Sequence, residues 1–226
     1  GNSDEWGNKK FIGIKNFIEF KDATFSIDKR KIFSKLNFKF EKNKINVIIG
    51  KSGSGKTTLV DLITGLTELD QGDLKIDDQD IKDFSKLSYL NSIGYVDQNP
   101  YLFNDTISNN IKWGSKENIS KSKIYNLAKE LKIHDLINNL PNGYNSNVGD
   151  FGNSLSGGER QRIVIARTLI NNPKILILDE ATSQLDIKSQ KIIMSFLKKL
   201  KKTTTIIMVT HRKETLEIAD NILEVN

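Results

Sequence analysis

The stretch Gly50-Lys51-Ser52-Gly53-Ser54-Gly55-Lys56-Thr57 limits the fold of this chain more than any other feature. It matches G-x-x-x-x-G-K-[ST] and lies between an apolar run, Ile45-Asn46-Val47-Ile48-Ile49, and a segment with helical spacing. The run reads as a buried strand that stops at Gly50, and the helix opens at Lys56. Glycines let the backbone wrap phosphate oxygens with successive N–H groups pointing inward, and the helix start adds its positive end. Lys56 is expected to reach the β- and γ-phosphates of a nucleotide, the Thr57 hydroxyl to ligate magnesium, and Thr58 to complete the cradle. Leu59, Leu62, Ile63 and Leu66 are expected on the inner face of the helix.

A strand, loop and helix of this kind need a sheet to sit in. Strand character returns at Ile175-Leu176-Ile177-Leu178 and at Thr205-Ile206-Ile207-Met208-Val209, with helical spacing between them. That order predicts an α/β fold with a parallel central sheet and crossover helices. Ahead of the loop, Phe17-Ile18-Glu19-Phe20, Ala23-Thr24-Phe25 and Leu36-Asn37-Phe38-Lys39-Phe40 alternate as strands of an antiparallel sheet. Between about 105 and 170 the apolar positions Ile124, Leu127, Ala128, Leu131 and Leu136 fit a helical lobe. Residues 1–10 read as a linker or tail, and residues 11–226 as one domain with a helical subdomain at about 100–168.

Composition excludes several classes. No apolar run reaches the roughly 18 residues of a membrane helix, and GNSDEWGNKK lacks the apolar stretch of a secretory signal. With no cysteine there are no disulfides and no thiolate metal sites. The net charge of +6 and the pI near 9.2 come from lysines interspersed with acids, which describes a solvated basic surface. No nucleic-acid partner is expected.

A second half of the phosphate site lies far downstream. The run Ile175–Leu178 ends in Asp179-Glu180, two carboxylates at the carboxyl end of a buried strand, where ligands bind in open α/β sheets. Asp179 is expected to hold the magnesium shell, directly or through water, and Glu180 to orient and polarise an attacking water.

Leu155-Ser156-Gly157-Gly158-Glu159, followed by Arg160-Gln161-Arg162, resembles the signature motif of ABC ATPases, the LSGGQ family. The resemblance spans Phe11 to Val225, with Gln98 at the Q-loop glutamine, Ser183-Gln184-Leu185-Asp186 at the D-loop and His211 at the switch histidine, in the family's order. It implies an ABC ATPase fold: a phosphate-loop core with an antiparallel β subdomain and a helical signature subdomain. Ser156, its glycines and a helix start make a second anion-binding nest, which a chain with one triphosphate needs only if it serves a neighbour. In the family it does, so two subunits, identical or related, close around two ATP. The resemblance implies that Ser156, Gly157, Gly158, Glu159 and Asp186 meet the partner's nucleotide. It also implies that Gln98 is a metal and catalytic residue, that His211 contacts the γ-phosphate and fixes the water with Glu180, and that Lys56 shares in catalysis. His134 carries no motif and reads as structural.

Within the family, Ile93-Gly94-Tyr95-Val96-Asp97-Gln98-Asn99-Pro100-Tyr101-Leu102-Phe103, then Thr106-Ile107 and Asn110-Ile111, resembles the exporter segment that meets the membrane partner. Val148-Gly149-Asp150-Phe151-Gly152 resembles the X-loop of the same group. The resemblance implies ATP hydrolysis coupled to export, at the cytoplasmic face of the cell membrane, by a domain excised from a longer protein with a fused membrane domain. An importer's free ATPase subunit shares the chemistry and is the alternative. A DNA-repair ATPase fits less well, because the compact lobe between Gln98 and Ser156 has no room for coiled-coil heptads, and so does a translation ATPase, which would carry two such domains where this sequence has a single set of motifs.

Two positions depart from the family pattern. Glu159 replaces the usual Gln, and Ile27, in Ala23-Thr24-Phe25-Ser26-Ile27, stands where an aromatic ring usually stacks on adenine. Isoleucine packs on a base but forfeits stacking of about 1–3 kcal/mol. Titration of both nucleotides is expected to show GTP binding nearly as well as ATP, and Ile27→Tyr is expected to tighten ATP by up to that energy. A strong ATP preference in the parent chain would mean that another residue grips adenine.

Overall fold

The computed structural model describes residues 5–226. The first part of the expected tail, residues 1–4, lies outside the described residues. Strands β1 (Phe17–Ile27), β2 (Arg30–Glu41) and β3 (Ile45–Gly50) precede helix α1 (Lys56–Ile63). Then come β4 (Gln71–Ile76), β5 (Gln79–Asp80), α2 (Lys86–Leu90) and β6 (Ile93–Val96). Helices α3 (Ile107–Lys112), α4 (Lys121–Glu130), α5 (His134–Asn138), α6 (Val148–Phe151) and α7 (Gly157–Leu169) follow. The chain closes with β7 (Ile175–Asp179), α8 (Ile187–Leu200), β8 (Thr205–Thr210) and β9 (Asn221–Val225). It divides into two compact units: the chain up to Ile93 with Lys174–Asp179 and Lys201–Asn226, and Gly94–Pro173 with Glu180–Leu200.

The first unit holds two sheets. One is antiparallel, in the order β2-β1-β4-β5. On β1, Ile18 and Phe20 face the core by simple alternation, but the next buried residues are Ala23 and Phe25. The change of parity falls at a register shift between Phe20 and Ala23, where Asp22 has φ 47. A bulge there restores the inward set that an unbroken strand would turn outward. The other sheet is parallel in this unit, with β7, β8, β3 and β9 adjacent in that order. Buried on both faces, β3 and β8 read as continuous apolar runs, as expected. Leu59, Leu62 and Ile63 of α1 share one core with Phe20, Phe40, Ile177 and Val209.

Leu66 does not join that face: it is 78% exposed. α1 ends at Ile63 because the Gly65 amide turns back to the Leu62 carbonyl at 3.1 Å and the Leu66 amide to Asp61 at 2.8 Å. This is a Schellman ending, which takes the next residue off the helical period. Before β1, the Trp6 ring lies 5.8 Å from the Tyr89 ring, and the Gly7 amide donates to the Lys82 carbonyl at 2.6 Å.

The second unit is helical. Ile124, Ala128 and Leu131 are buried as the spacing predicts, whereas Leu127 and Leu136 are half-buried. His134 Nδ1 lies 2.7 Å from the Tyr144 hydroxyl, whose pKa is pushed up to about 12 by burial and then by Tyr125 and Asp135.

Asn46 is the polar exception in the apolar run of β3, fully buried. It accepts from the Glu41 amide at 2.9 Å and donates to the carbonyls of Glu41 at 3.0 Å and Ile206 at 3.1 Å. It therefore joins the end of β2 to two strands of the parallel sheet. Asn46→Leu strands these backbone groups and is expected to cost about 2–4 kcal/mol. The check is urea unfolding, with a lower midpoint at unchanged slope.

Candidate active site

The phosphate loop leaves the carboxyl end of β3 and closes on itself. Gly55, with φ 99, is the N-cap of α1, and a Cβ there would come within 2.6 Å of Ile32 Cγ2. Only glycine fits both the left-handed backbone and that approach. Lys56 is buried and its ammonium donates to the carbonyls of Gly50 and Lys51. Thr57 is exposed at the first turn of α1, and Thr58 is buried beneath it. The Ser54 hydroxyl is buried with no partner in the protein. An orphaned hydroxyl and a lysine folded onto its own loop fit an anion that would engage both.

In-register parallel pairing brings other expected residues to the same edge. Ile49 pairs with Thr210, and Asp179 with Val209. His211 therefore follows the end of β8 beside the loop, and Asp179 ends the next strand, each strand about 4.8 Å from its neighbour. Asp61, on α1, has its pKa raised by burial and then by the Asp179 carboxylate. Asp61 lies outside every motif, and its position four residues after Thr57 on the same helix is the one signal the sequence offers for it. The Thr57 hydroxyl and Asp179 are the residues that would hold a magnesium ion here. Among the described residues no group of three or more His, Cys, Asp or Glu could hold a metal ion. Ile27, 47% exposed at the end of β1, lines an open cleft with Phe25, Thr58, Asp61 and Leu66.

The second unit carries the remaining expected residues. Ser156 is the N-cap of α7, accepting from the Glu159 amide at 3.1 Å, while Glu159 Oε1 accepts from the Ser156 amide at 2.8 Å. This reciprocal capping box explains the acid at position 159: its charge faces an amide and the positive end of the helix. The signal S-x-x-E was present in the sequence. Gly157 is exposed, and a Cβ on Gly158 would lie 2.0 Å from Ser189 Oγ and 3.1 Å from Asp186 Oδ1. Asp186 sits at the start of α8, its pKa lowered by hydrogen bonds from Ser189. Arg162 is buried and donates to the carbonyls of Gly158 at 3.2 Å and Leu131 at 3.2 Å. Burial lowers its pKa, while the carboxylates of Glu159 and Asp186 favour its charge.

Gln98 is half-buried in the loop after β6. Glu180 has φ 54, and its carbonyl accepts from Ser183 Oγ at 2.9 Å. Gln161, to which the signature motif assigns no role, donates to the carbonyls of Asp97 at 2.7 Å and Ala181 at 2.8 Å. Arg167 holds the Tyr101–Phe103 stretch, donating to the Tyr101 carbonyl at 2.8 Å and to Asn110 at 2.9 Å, with its guanidinium 4.9 Å from the Phe103 ring centre.

Residues 33–183 match the family described as ABC transporter. The "ATP-dependent lipid A-core flippase" of Pasteurella multocida (strain Pm70) is 40% identical over 219 residues, 96% of this chain and 38% of that protein. "Multidrug resistance protein 1" of Entamoeba histolytica is 42% identical over 217 residues, 94% of this chain and 17% of that one. The solved structure of a bacterial Atm1-family ABC exporter with ATP bound superposes with a TM-score of 0.85 at 36% identity, covering 97% of this chain and 39% of that chain. The chain thus spans about two fifths or less of the length of these relatives.

The capping box sets an expectation for position 159. Glu159→Gln keeps the reciprocal bond and should change stability by less than about 0.5 kcal/mol, whereas Glu159→Ala should cost about 1 kcal/mol. Thermal unfolding of the two variants side by side checks it; equal losses would mean the box carries no stability.

Proposed function

This chain belongs to the ABC transporter family, as a nucleotide-binding domain of the exporter type, and we propose that it binds and hydrolyses ATP with magnesium as one half of a dimer. The observation that carries this reading is the edge of the parallel sheet, where the phosphate loop with its orphaned Ser54 hydroxyl leaves beside Asp179 and His211. Lys56 and the loop amides would hold the triphosphate, Thr57 and Asp179 the metal, with Gln98 completing its shell. When bound, magnesium supplies charge neutralisation at the β- and γ-oxygens. Glu180 would take up the proton side of the water attack, and His211 would fix that water against the γ-phosphate.

The capped nest at Ser156, Gly157, Gly158 and Glu159, with Asp186 beside it, supports a role on a second subunit's nucleotide. The closed state would then be an isologous pair, either a homodimer or a heterodimer with a related domain. Its partner in transport would be a membrane domain meeting the Gln98–Phe103 stretch, with the ATPase at the cytoplasmic face of the membrane. Among the described residues no helix is long and apolar enough to cross a bilayer.

Glu180→Gln is expected to keep ATP binding and to lower turnover by at least about 10²–10⁴-fold, trapping an ATP-bound dimer. Near-normal phosphate release by this variant would remove Glu180 from the mechanism. Composite sites are tested by mixing. Lys56→Ala disables a subunit's own site, and Ser156→Arg thrusts a bulky cation into its partner's. Each homodimer should be nearly inactive, while the mixed dimer keeps one whole site and recovers activity. Parent-level hydrolysis by the Ser156→Arg chain alone would sink the sandwich.

A further inference from the structure

Gln161 is fully buried on the second turn of α7, just beyond the Ser156 cap. Its single side-chain NH₂ reaches two backbone carbonyls far apart in the sequence: Asp97, immediately before Gln98, and Ala181, immediately after Glu180. The amide cannot be turned round, because its oxygen would then face both carbonyl oxygens. In the orientation observed, Oε1 is buried and has no partner. An unpartnered buried oxygen is costly, so packing alone would favour an apolar side chain of the same length at this position. Two well-made bonds are what the glutamine offers in return. Further along the same loop, Gln190 of α8 donates to the carbonyls of Thr182 at 3.2 Å and Leu185 at 2.8 Å, so the stretch after Glu180 is gripped from two helices.

We infer that Gln161 is a positioning residue of the ATPase reaction: its side-chain amide ties the Gln98 loop and the Glu180 turn to helix α7, which also carries the Ser156 cap. The inference rests on the proposed roles of Gln98, Glu180 and Ser156. It adds a physical link between the groups that act on a subunit's own nucleotide and the cap offered to its partner. A helix is stiff along its axis, and Ser156 and Gln161 are separated by little more than one turn. A displacement of the cap on dimer closure is therefore delivered to both loops together, and misplacement by about 1 Å is enough to cost about 10²-fold in a reaction that depends on alignment.

The test is Gln161→Met in the 226-residue chain, which keeps the length of the side chain and removes both donors. Hydrogen exchange on the nucleotide-free protein should quicken at least about tenfold at residues 97–99 and 180–183 together, with the interior amides of α7 unchanged. Steady-state hydrolysis should show kcat lower by at least about tenfold, with KM and MgATP affinity within about twofold, because the Lys56–Thr57 loop is untouched. A merely structural role would instead lower protection throughout α7 and weaken nucleotide binding with it. Gln161→Glu, nearly the same shape but with an acceptor facing the two carbonyls, decides by the same readouts if the Met variant does not fold. Parent-like exchange and turnover in the variant overturn the inference, as does general loss of protection along α7. If the parent chain fails to bind MgATP, the ATPase reading falls, while the exchange comparison, which needs no nucleotide, still decides whether Gln161 tethers the two loops.

Discussion

Parallel pairing of β3 with its neighbours is the constraint on which the phosphate site depends. Antiparallel neighbours would send alternate strand ends to opposite edges of the sheet, whereas parallel strands in register deliver every carboxyl end to the same one. Here Ile49 opposite Thr210 and Asp179 opposite Val209 set that register. The loop after Gly50, Asp179 and His211 then lie at the ends of neighbouring strands on one edge, although they are far apart in sequence. The register itself is held by apolar runs on both faces and by Asn46, whose amide reaches from β3 to the carbonyl of Ile206 on β8 and back to the end of β2. A slip by one residue would break those bonds, so this buried polar group specifies alignment as well as adding stability.

In the second unit the corresponding element is α7. Its N-terminus is closed by the Ser156–Glu159 box, and its buried face carries polar as well as apolar residues. Arg162 and Gln161 turn to backbone carbonyls, of Gly158 and Leu131 for the one and of Asp97 and Ala181 for the other. Arg167, further on, does the same for Tyr101. Fork and amide donors against carbonyls are directional, whereas apolar packing tolerates sliding. Placing them along one helix turns an insertion between sheet strands into a frame that holds several loops at defined heights.

What the sequence revealed follows from the range of each signal. The glycine loop, the strand before it and the helix after it are contiguous, so Gly50–Thr57 could be read directly, as could the apolar runs of β7 and β8. Leu66 misled because the helical period of Leu59, Leu62 and Ile63 continues arithmetically to it, while the chain stops at Ile63 through backbone bonds that periodicity does not encode. The acid at Glu159 has a local partner that the letters display, a serine three residues earlier that completes the reciprocal cap. Gln161 was beyond reach for a different reason. Its partners lie 64 and 20 residues away and are main-chain carbonyls, which every residue possesses and no sequence pattern marks.

Asp179 and Glu180 are adjacent acids with different backbone conformations. In an extended strand, successive side chains point to opposite faces, and both would stay within the sheet's alternation. Asp179 is the last residue of β7, but Glu180 has φ 54, a left-handed conformation that costs a non-glycine residue about 1–2 kcal/mol. That cost is offset locally: the Glu180 carbonyl accepts from Ser183 Oγ at 2.9 Å, and the next carbonyl, of Ala181, accepts from Gln161. The left-handed residue takes the chain out of the strand within a single step, so Asp179 keeps the strand's orientation while Glu180 is released from it. Glycine would adopt this backbone at no cost but would bring no carboxylate. A glutamate in a conformation that favours glycine is the kind of backbone outlier on which the proposed role of Glu180 can be tested.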